Sequence, residues 1–178
     1  MKFLRYIFLA IFAIYAILFF MPKENLFYQL EKLLAKENLF IAGEKITDKP
    51  LGIKLDDLEI IYGNVDVGDI KNIDFDFYLV KNVLHVKGVS LKSNSFKFIP
   101  KYIDDLIFSY SILSPKNIKI QSKGDVGNII GYFDLVKQTL HVELKTDKKS
   151  RSRYRDILKK FKPNKKGVYI YEKTFKIY

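Results

Sequence analysis

Sixteen consecutive residues, Tyr6 to Met21, carry no charge, no proline and no glycine, and they lie between Arg5 and Lys23. No other stretch limits the fold as strongly. As a helix the run spans roughly 24 Å at about 1.5 Å per residue, a little short of a ~30 Å hydrocarbon core. Phe3 and Leu4 lengthen it, and Arg5 and Lys23 can hold their charges at the interface while their stems lie in the apolar layer. Three structures accommodate such a segment. A cleaved secretory signal needs a small-x-small site, and the run leaves through Leu18-Phe19-Phe20-Met21-Pro22, with Ala13 and Ala16 inside it. A buried helix of a soluble fold would carry a polar stripe, which is missing here. The expectation is therefore an uncleaved single-pass anchor over residues 1–22, touching lipid through Tyr6–Met21. Lys2 and Arg5 before the span place the short N-terminus in the cytoplasm and the bulk of the chain across the membrane. Abundant Lys, Ile, Asn and Phe with no Trp fit an AT-rich bacterial genome, which makes the expected location the inner membrane with a periplasmic C-terminal domain.

About 156 residues follow the anchor, enough for one domain with its own core. Cysteine is absent, so neither disulfides nor lipoprotein attachment can hold that domain together. The net charge of +11 is concentrated at one end. From Lys145 to Tyr178 there are thirteen Lys or Arg against Asp147, Asp156 and Glu172, whereas the preceding residues are nearly balanced. Such a block fits an acidic partner.

Residues 23–38 read as an amphipathic linker helix, with Leu26, Phe27, Leu30, Leu33 and Leu34 at spacings of three and four and Pro22 at its start. Its polar face is mixed in charge, so it is expected to pack on the domain. From about Leu39 the period changes to two, and residues 39–178 read as one β-rich domain ending in the basic segment 145–178. Ile53, Leu55, Leu58 and Ile60 alternate with Lys54, Asp56 and Glu59. Ile73, Phe75, Phe77 and Leu79 alternate with Asp74, Asp76 and Tyr78, and after a turn at Lys81-Asn82 the chain returns through Leu84 and Val86. Asn64–Asp69 and Lys123–Asp125 carry turn chemistry. Pro100 to Leu113 is the one internal helix candidate, with Asp104 and Asp105 near its start and Ile103, Leu106, Ile107 and Tyr110 on one face. Strands are expected at Ile118–Gln121, Ile129–Leu135, Leu140–Lys145 and Val168–Phe175, with a basic helix over Ser152–Phe161 and a turn over Pro163–Gly167. The fold class is mainly β (α+β): an N-terminal transmembrane helix, then an antiparallel, curled sheet with two or three short helices.

Leu79-Val80-Lys81-Asn82-Val83-Leu84-His85-Val86 reappears as Leu135-Val136-Lys137-Gln138-Thr139-Leu140-His141-Val142, so both histidines fall at the same place in a repeated hairpin unit, pointing outward between inward apolar residues. The second copy sits in a fuller form: Gly124-Asp125-Val126-Gly127, Gly131-Tyr132-Phe133-Asp134-Leu135, then Leu140 to Leu144. A glycine-started strand, a short turn and an alternating return resemble the hairpins of the type II secretion N protein and of AsmA-like envelope proteins. The resemblance covers roughly Val65–Lys145 plus the anchor. It implies one N-terminal membrane helix and a β-rich periplasmic domain, and in the AsmA-like case an apolar inner sheet face that carries an acyl chain.

Reactive constellations are missing from the sequence. His85 and His141 are not joined by the further ligands a zinc site needs. Asp66, Asp69, Asp74 and Asp76 lack the alternating ligands and terminal Glu of a calcium loop. Gly63 to Gly68 has phosphate-loop spacing, but Asp69-Ile70 stands where Lys-Ser/Thr would hold phosphate. No Gly-x-Ser-x-Gly elbow occurs. The expectation is a non-catalytic protein with no cofactor and no metal. The basic block has few interleaved aromatics, so neither nucleic acid nor a small-molecule substrate is expected as partner. Other subunits of an envelope-spanning machine are expected instead, in a secretion, DNA-uptake or flagellar-motor apparatus. The docking candidates are Lys148, Lys149, Arg151, Arg153, Tyr154, Arg155, Lys159, Lys160, Lys165 and Lys166. The alternative is lipid binding or lipid transfer on the inner face of the sheet.

Overall fold

The computed structural model describes residues 2–42, 45–92, 100–164 and 167–175. Two helices lead into the domain, α1 (Lys2–Phe20) and α2 (Glu24–Ala35). Among the described residues no helix is long and apolar enough to cross a membrane; α1 is 19 residues long and opens with Lys2 and Arg5. The apolar side chains described along α1 are almost all exposed. Lys23, expected at an interface, instead folds back: its ammonium donates to the carbonyls of Phe19 (3.3 Å) and Met21 (3.2 Å), oxygens that a helix end leaves without partners. The linker helix packs as its mixed polar face required, burying Phe27 against the sheet.

The strands are β1 (Leu39–Ala42), β2 (Lys45–Lys49), β3 (Gly52–Tyr62), β4 (Val65–Phe77), β5 (Lys81–Leu91), β6 (Tyr102–Ser111), β7 (Asn117–Gly124), β8 (Gly127–Asp134), β9 (Thr139–Lys145), β10 (Lys162–Pro163) and β11 (Tyr169–Thr174). They form a single antiparallel sheet in the order β1-β3-β4-β5-β6-β7-β8-β9-β11-β10, with β2 beside β1 on the same edge of β3. From β3 to β9 every strand pairs with its successor, a meander built from local turns. Two short helices, α3 (Lys148–Arg153) and α4 (Arg155–Leu158), fill the connection from β9 to β10. The core is split between the ends of the sheet. One cluster joins Phe27 to Ile53, Leu55 and Leu58, and the other joins Val126 and Leu144 to Tyr154 and Leu158.

A crease crosses four strands. The ladder pairs Asp56 with Asn72 and then Leu58 with Ile70, leaving out Asp57 and Lys71. Between β4 and β5 it omits Gly88, and between β6 and β7 the register slips at Asp104. Asp57 (φ 56°) and Gly88 (φ 63°) both have left-handed backbone, and a Cβ on Gly88 would lie 2.7 Å from the Lys71 side chain. Irregularities of this kind bend a strand and reset which face the next residue meets. Leu55 and Leu58, three residues apart, thus point into the same cluster, as do Ile70 and Ile73.

The crease explains the main correction to the sequence reading. Pro100–Leu113 is not a helix; Tyr102–Ser111 is β6, paired on both sides. Ile103 and Leu106 stand three apart because the strand is irregular between them, and that spacing imitates a helical face. Smaller corrections concern turns. Lys81 and Asn82 begin β5, and the chain reverses over Tyr78–Val80, where the Asn82 carboxamide accepts the Tyr78 N–H (3.1 Å). Val65–Asp69 belongs to β4, with the turn confined to Gly63-Asn64, and Lys123-Gly124 ends β7 ahead of a turn at Asp125-Val126. The expected helix over Ser152–Phe161 is two pieces broken at Tyr154.

Candidate functional site

The face of the sheet that bears both core clusters is apolar from one side to the other. Because alternate residues share a face, the cross-strand register defines its rows. One row runs Ile53, Phe75, Leu84, Phe108, Ile120, Gly131, Val142, Tyr171 across eight strands. The next runs Leu55, Ile73, Val86, Leu106, Ser122, Ile129, Leu144, Tyr169. Neither row contains a charge. Among the described residues helices cover only the two ends: α2 lies over β3 and β4, and α3 with α4 lies over β9 and β11. Between them Leu84, Phe108 and Ile120 are half-buried. A cavity of about 360 Å3 opens beside α2, lined solely by apolar side chains: Phe27, Leu30, Ile41, Ile53, Leu55, Ile73, Phe75, Phe77, Leu84 and Val86. That volume lies in the range of small-ligand pockets. The opposite face is polar. There Lys49 pairs with Asp74 and with Asp76 (2.8 Å), and Lys92 pairs with Asp66 (2.8 Å) and Asp69 (2.7 Å), so the acidic set of the sequence is spent on cross-strand ion pairs. The Lys92 contact holds the Asp66 carboxyl below the usual carboxylate range and raises the Lys92 ammonium.

His85 and His141 point to that polar face as the repeat predicted. His85 Nε2 sits 2.9 Å from Asp105, and His141 lies 3.2 Å from Glu172 and 3.6 Å from Glu143 while stacking on Tyr132. Among the described residues no group of three or more His, Cys, Asp or Glu side chains is placed to hold a metal ion.

The basic candidates divide. Lys148, Lys149, Arg151, Arg153, Arg155, Lys159 and Lys160 are exposed on α3, α4 and the turn after them. Arg151 is partly occupied, lying 5.5 Å over the Tyr169 ring and donating to the Gly167 carbonyl (3.4 Å), and Lys159 pairs with Asp156 (2.7 Å). Tyr154 is not a surface contact, which corrects its place among the docking residues: it is buried, and its hydroxyl donates to the Asp125 carboxylate in the β7–β8 turn. Burial and then the neighbouring Asp125 push its phenol up from the ordinary tyrosine value. Asp147 caps α3 by accepting the Ser150 N–H (2.6 Å), a contact that lowers its carboxyl. Lys165 and Lys166 lie outside the described residues. The sequence reading missed the middle of the apolar face, because Leu106, Phe108 and Tyr110 of β6 were assigned to a helix; their strict alternation with Asp105, Ile107 and Ser109 was the available signal.

No protein-family model, curated protein or solved structure gives a match to this chain.

Proposed function

We propose that the protein is a non-catalytic, membrane-tethered carrier of acyl chains, held by α1 in the bacterial inner membrane with its sheet in the periplasm, and that the apolar sheet face is where lipid lies. The observation behind this reading is the pair of adjacent uncharged rows across eight strands, helix-covered only at their two ends among the described residues and opening into an apolar cavity. A soluble domain gains nothing by leaving so many apolar side chains half-covered, whereas a bound alkyl chain would return about 0.8 kcal/mol for each methylene it buries. The resemblance to AsmA-like hairpins points the same way. For the tether, sixteen uncharged residues preceded by Lys2 and Arg5 fit a short crossing in which the Arg5 side chain reaches the interface. The test is photolabelling of the full chain in native membranes with a diazirine-bearing phospholipid. Labelled peptides should contain Leu84–Val86 or Leu106–Phe108. Label confined to α1 would defeat the carrier reading.

A second reading is favoured by the basic cap. Seven exposed cations, five on the short helical pair and two in the turn after it, fit docking to an acidic subunit of an envelope-spanning machine for secretion, DNA uptake or flagellar rotation. In that reading the protein is a structural or assembly component.

A further inference from the structure

We propose that one end of the sheet is a bilayer-docking edge, and that the domain stands end-on upon the anionic membrane into which α1 inserts. Four hairpin tips share this end; Leu51 in the β2–β3 turn is half-buried, while the turns β4–β5, β6–β7 and β8–β9 each present exposed apolar side chains. They are Val80 in the first, Ile112 and Leu113 (83% exposed) in the second, and Leu135 and Val136 (72% exposed) in the third. Isolated apolar residues on a surface are ordinary, but exposed aliphatic residues at three successive tips are a pattern, and these tips stand two strand spacings, about 10 Å, apart. The tips are tied into one edge by their backbones. Ile112 N–H donates to the Val80 carbonyl (3.0 Å), Leu135 N–H to Lys116 (2.8 Å), and Phe175 N–H to Gln138 (2.9 Å).

Charge complementarity selects the occupant. Lys81, Lys116 and Lys137 are exposed beside the three apolar tips. Of the acids at this end Asp48 is exposed, Asp74 and Asp76 are paired with Lys49, and Asp134 closes its own turn by accepting the N–H groups of Val136 (2.9 Å) and Lys137 (2.8 Å). Between the first two tips a cavity of about 640 Å3 carries Lys81, Lys119 and three serines among apolar residues such as Val83, Ile107 and Leu113, and no carboxylate lines it. Ammonium and hydroxyl donors there, above aliphatic tips, match the phosphate and glycerol layer of an anionic bilayer with the acyl region beneath. The chain path agrees. Phe27 and Leu30, in the first half of α2, line the apolar cavity with Ile53, Phe75 and Phe77, residues next to the β2–β3 and β4–β5 turns. The α1–α2 junction therefore approaches the same end as the tips. The opposite end carries the basic helices, whose Tyr154 is bonded to the β7–β8 turn.

This orientation rests on the tether proposed above, and its test separates the two. The chain has no cysteine, so a single environment-sensitive fluorophore can be placed by Leu113→Cys, Val136→Cys or, as the far-end control, Val65→Cys in the full-length protein. Each variant is reconstituted in phosphatidylglycerol–phosphatidylethanolamine vesicles containing a nitroxide-labelled lipid. Quenching at 113 and 136 should exceed that at 65 by roughly two-fold or more, and should fall when phosphatidylglycerol is replaced by phosphatidylcholine. Equal quenching at all three positions, or none at the tips of a protein that resists alkaline carbonate extraction, would overturn the end-on orientation alone. Release by carbonate would overturn the tether and the orientation together.

Discussion

Removing one hydroxyl, by Tyr154→Phe, should loosen the whole basic cap. The Tyr154 side chain is inserted between the α3–α4 junction and the sheet, and its hydroxyl donates to Asp125 Oδ2. The other oxygen, Asp125 Oδ1, is buried with no hydrogen-bond partner among the described residues. The substitution therefore leaves the buried end of a carboxylate without its donor, and the loss is set by desolvation of the orphaned group, about 1–3 kcal/mol. Phenylalanine keeps the ring packed against Val126, Leu144 and Leu158, so no cavity term is added. For a chain of this length the midpoint should fall by roughly 4–8 °C if the loss is about 2 kcal/mol. Thermal unfolding in detergent micelles measures this, and hydrogen exchange localises it: the Leu158 amide, bonded to the Tyr154 carbonyl (3.1 Å), should exchange faster while β3–β5 amides do not. Adding Asp125→Ala to Tyr154→Phe removes the orphan and should recover part of the loss. The sign of the pH dependence also follows. The folded phenol titrates above its ordinary value of 10.0, so below about pH 10 both states are protonated and stability is unaffected. Above that the unfolded chain releases its proton first, so wild-type stability declines with rising pH and the Phe variant lacks this component. A midpoint within about 1 °C of wild type, with unchanged exchange at Leu158, would refute the reasoning.

Two further outcomes follow from the same packing. Leu58, 1% exposed in the α2 cluster, should lose about 2–5 kcal/mol on Leu58→Ala, read as a lowered urea midpoint with an unchanged slope. Charge reversal by Arg151→Glu, Arg153→Glu and Arg155→Glu should leave the melt nearly unchanged, because all three side chains are exposed, yet abolish stoichiometric crosslinked recovery of an acidic partner. Undiminished recovery would show that these charges are only solvated.

How much could be read from the residues varies with how regular each strand is. The hairpins at 73–86 and 129–145 were legible because Ile73, Phe75 and Phe77, and likewise Leu140, Val142 and Leu144, alternate without interruption. The paired histidines fixed their outward face correctly. β6 was not legible: its irregularity puts Ile103 and Leu106 at helical spacing, and Pro100 with two aspartates imitates a helix start. Without β6 the apolar rows stop at β5 and resume at β7, so the residues alone do not trace a continuous face. The basic candidates were located by charge alone, but charge does not say which way Tyr154 turns; the acceptor on Asp125, 29 residues away, decides that. The hairpin tips are hidden in the sequence for a related reason. Val80, Leu113 and Val136 are far apart in the chain and become neighbours only once the meander stacks their turns side by side.

The outermost strand β10 has consequences at high density. It is two residues long and ends in Pro163, which has no N–H to offer, while the opposite border is divided between the short strands β1 and β2. Where copies of a protein meet often, long bare sheet borders zip together into fibres. Short border strands at both sides let many copies crowd together and still remain separate molecules.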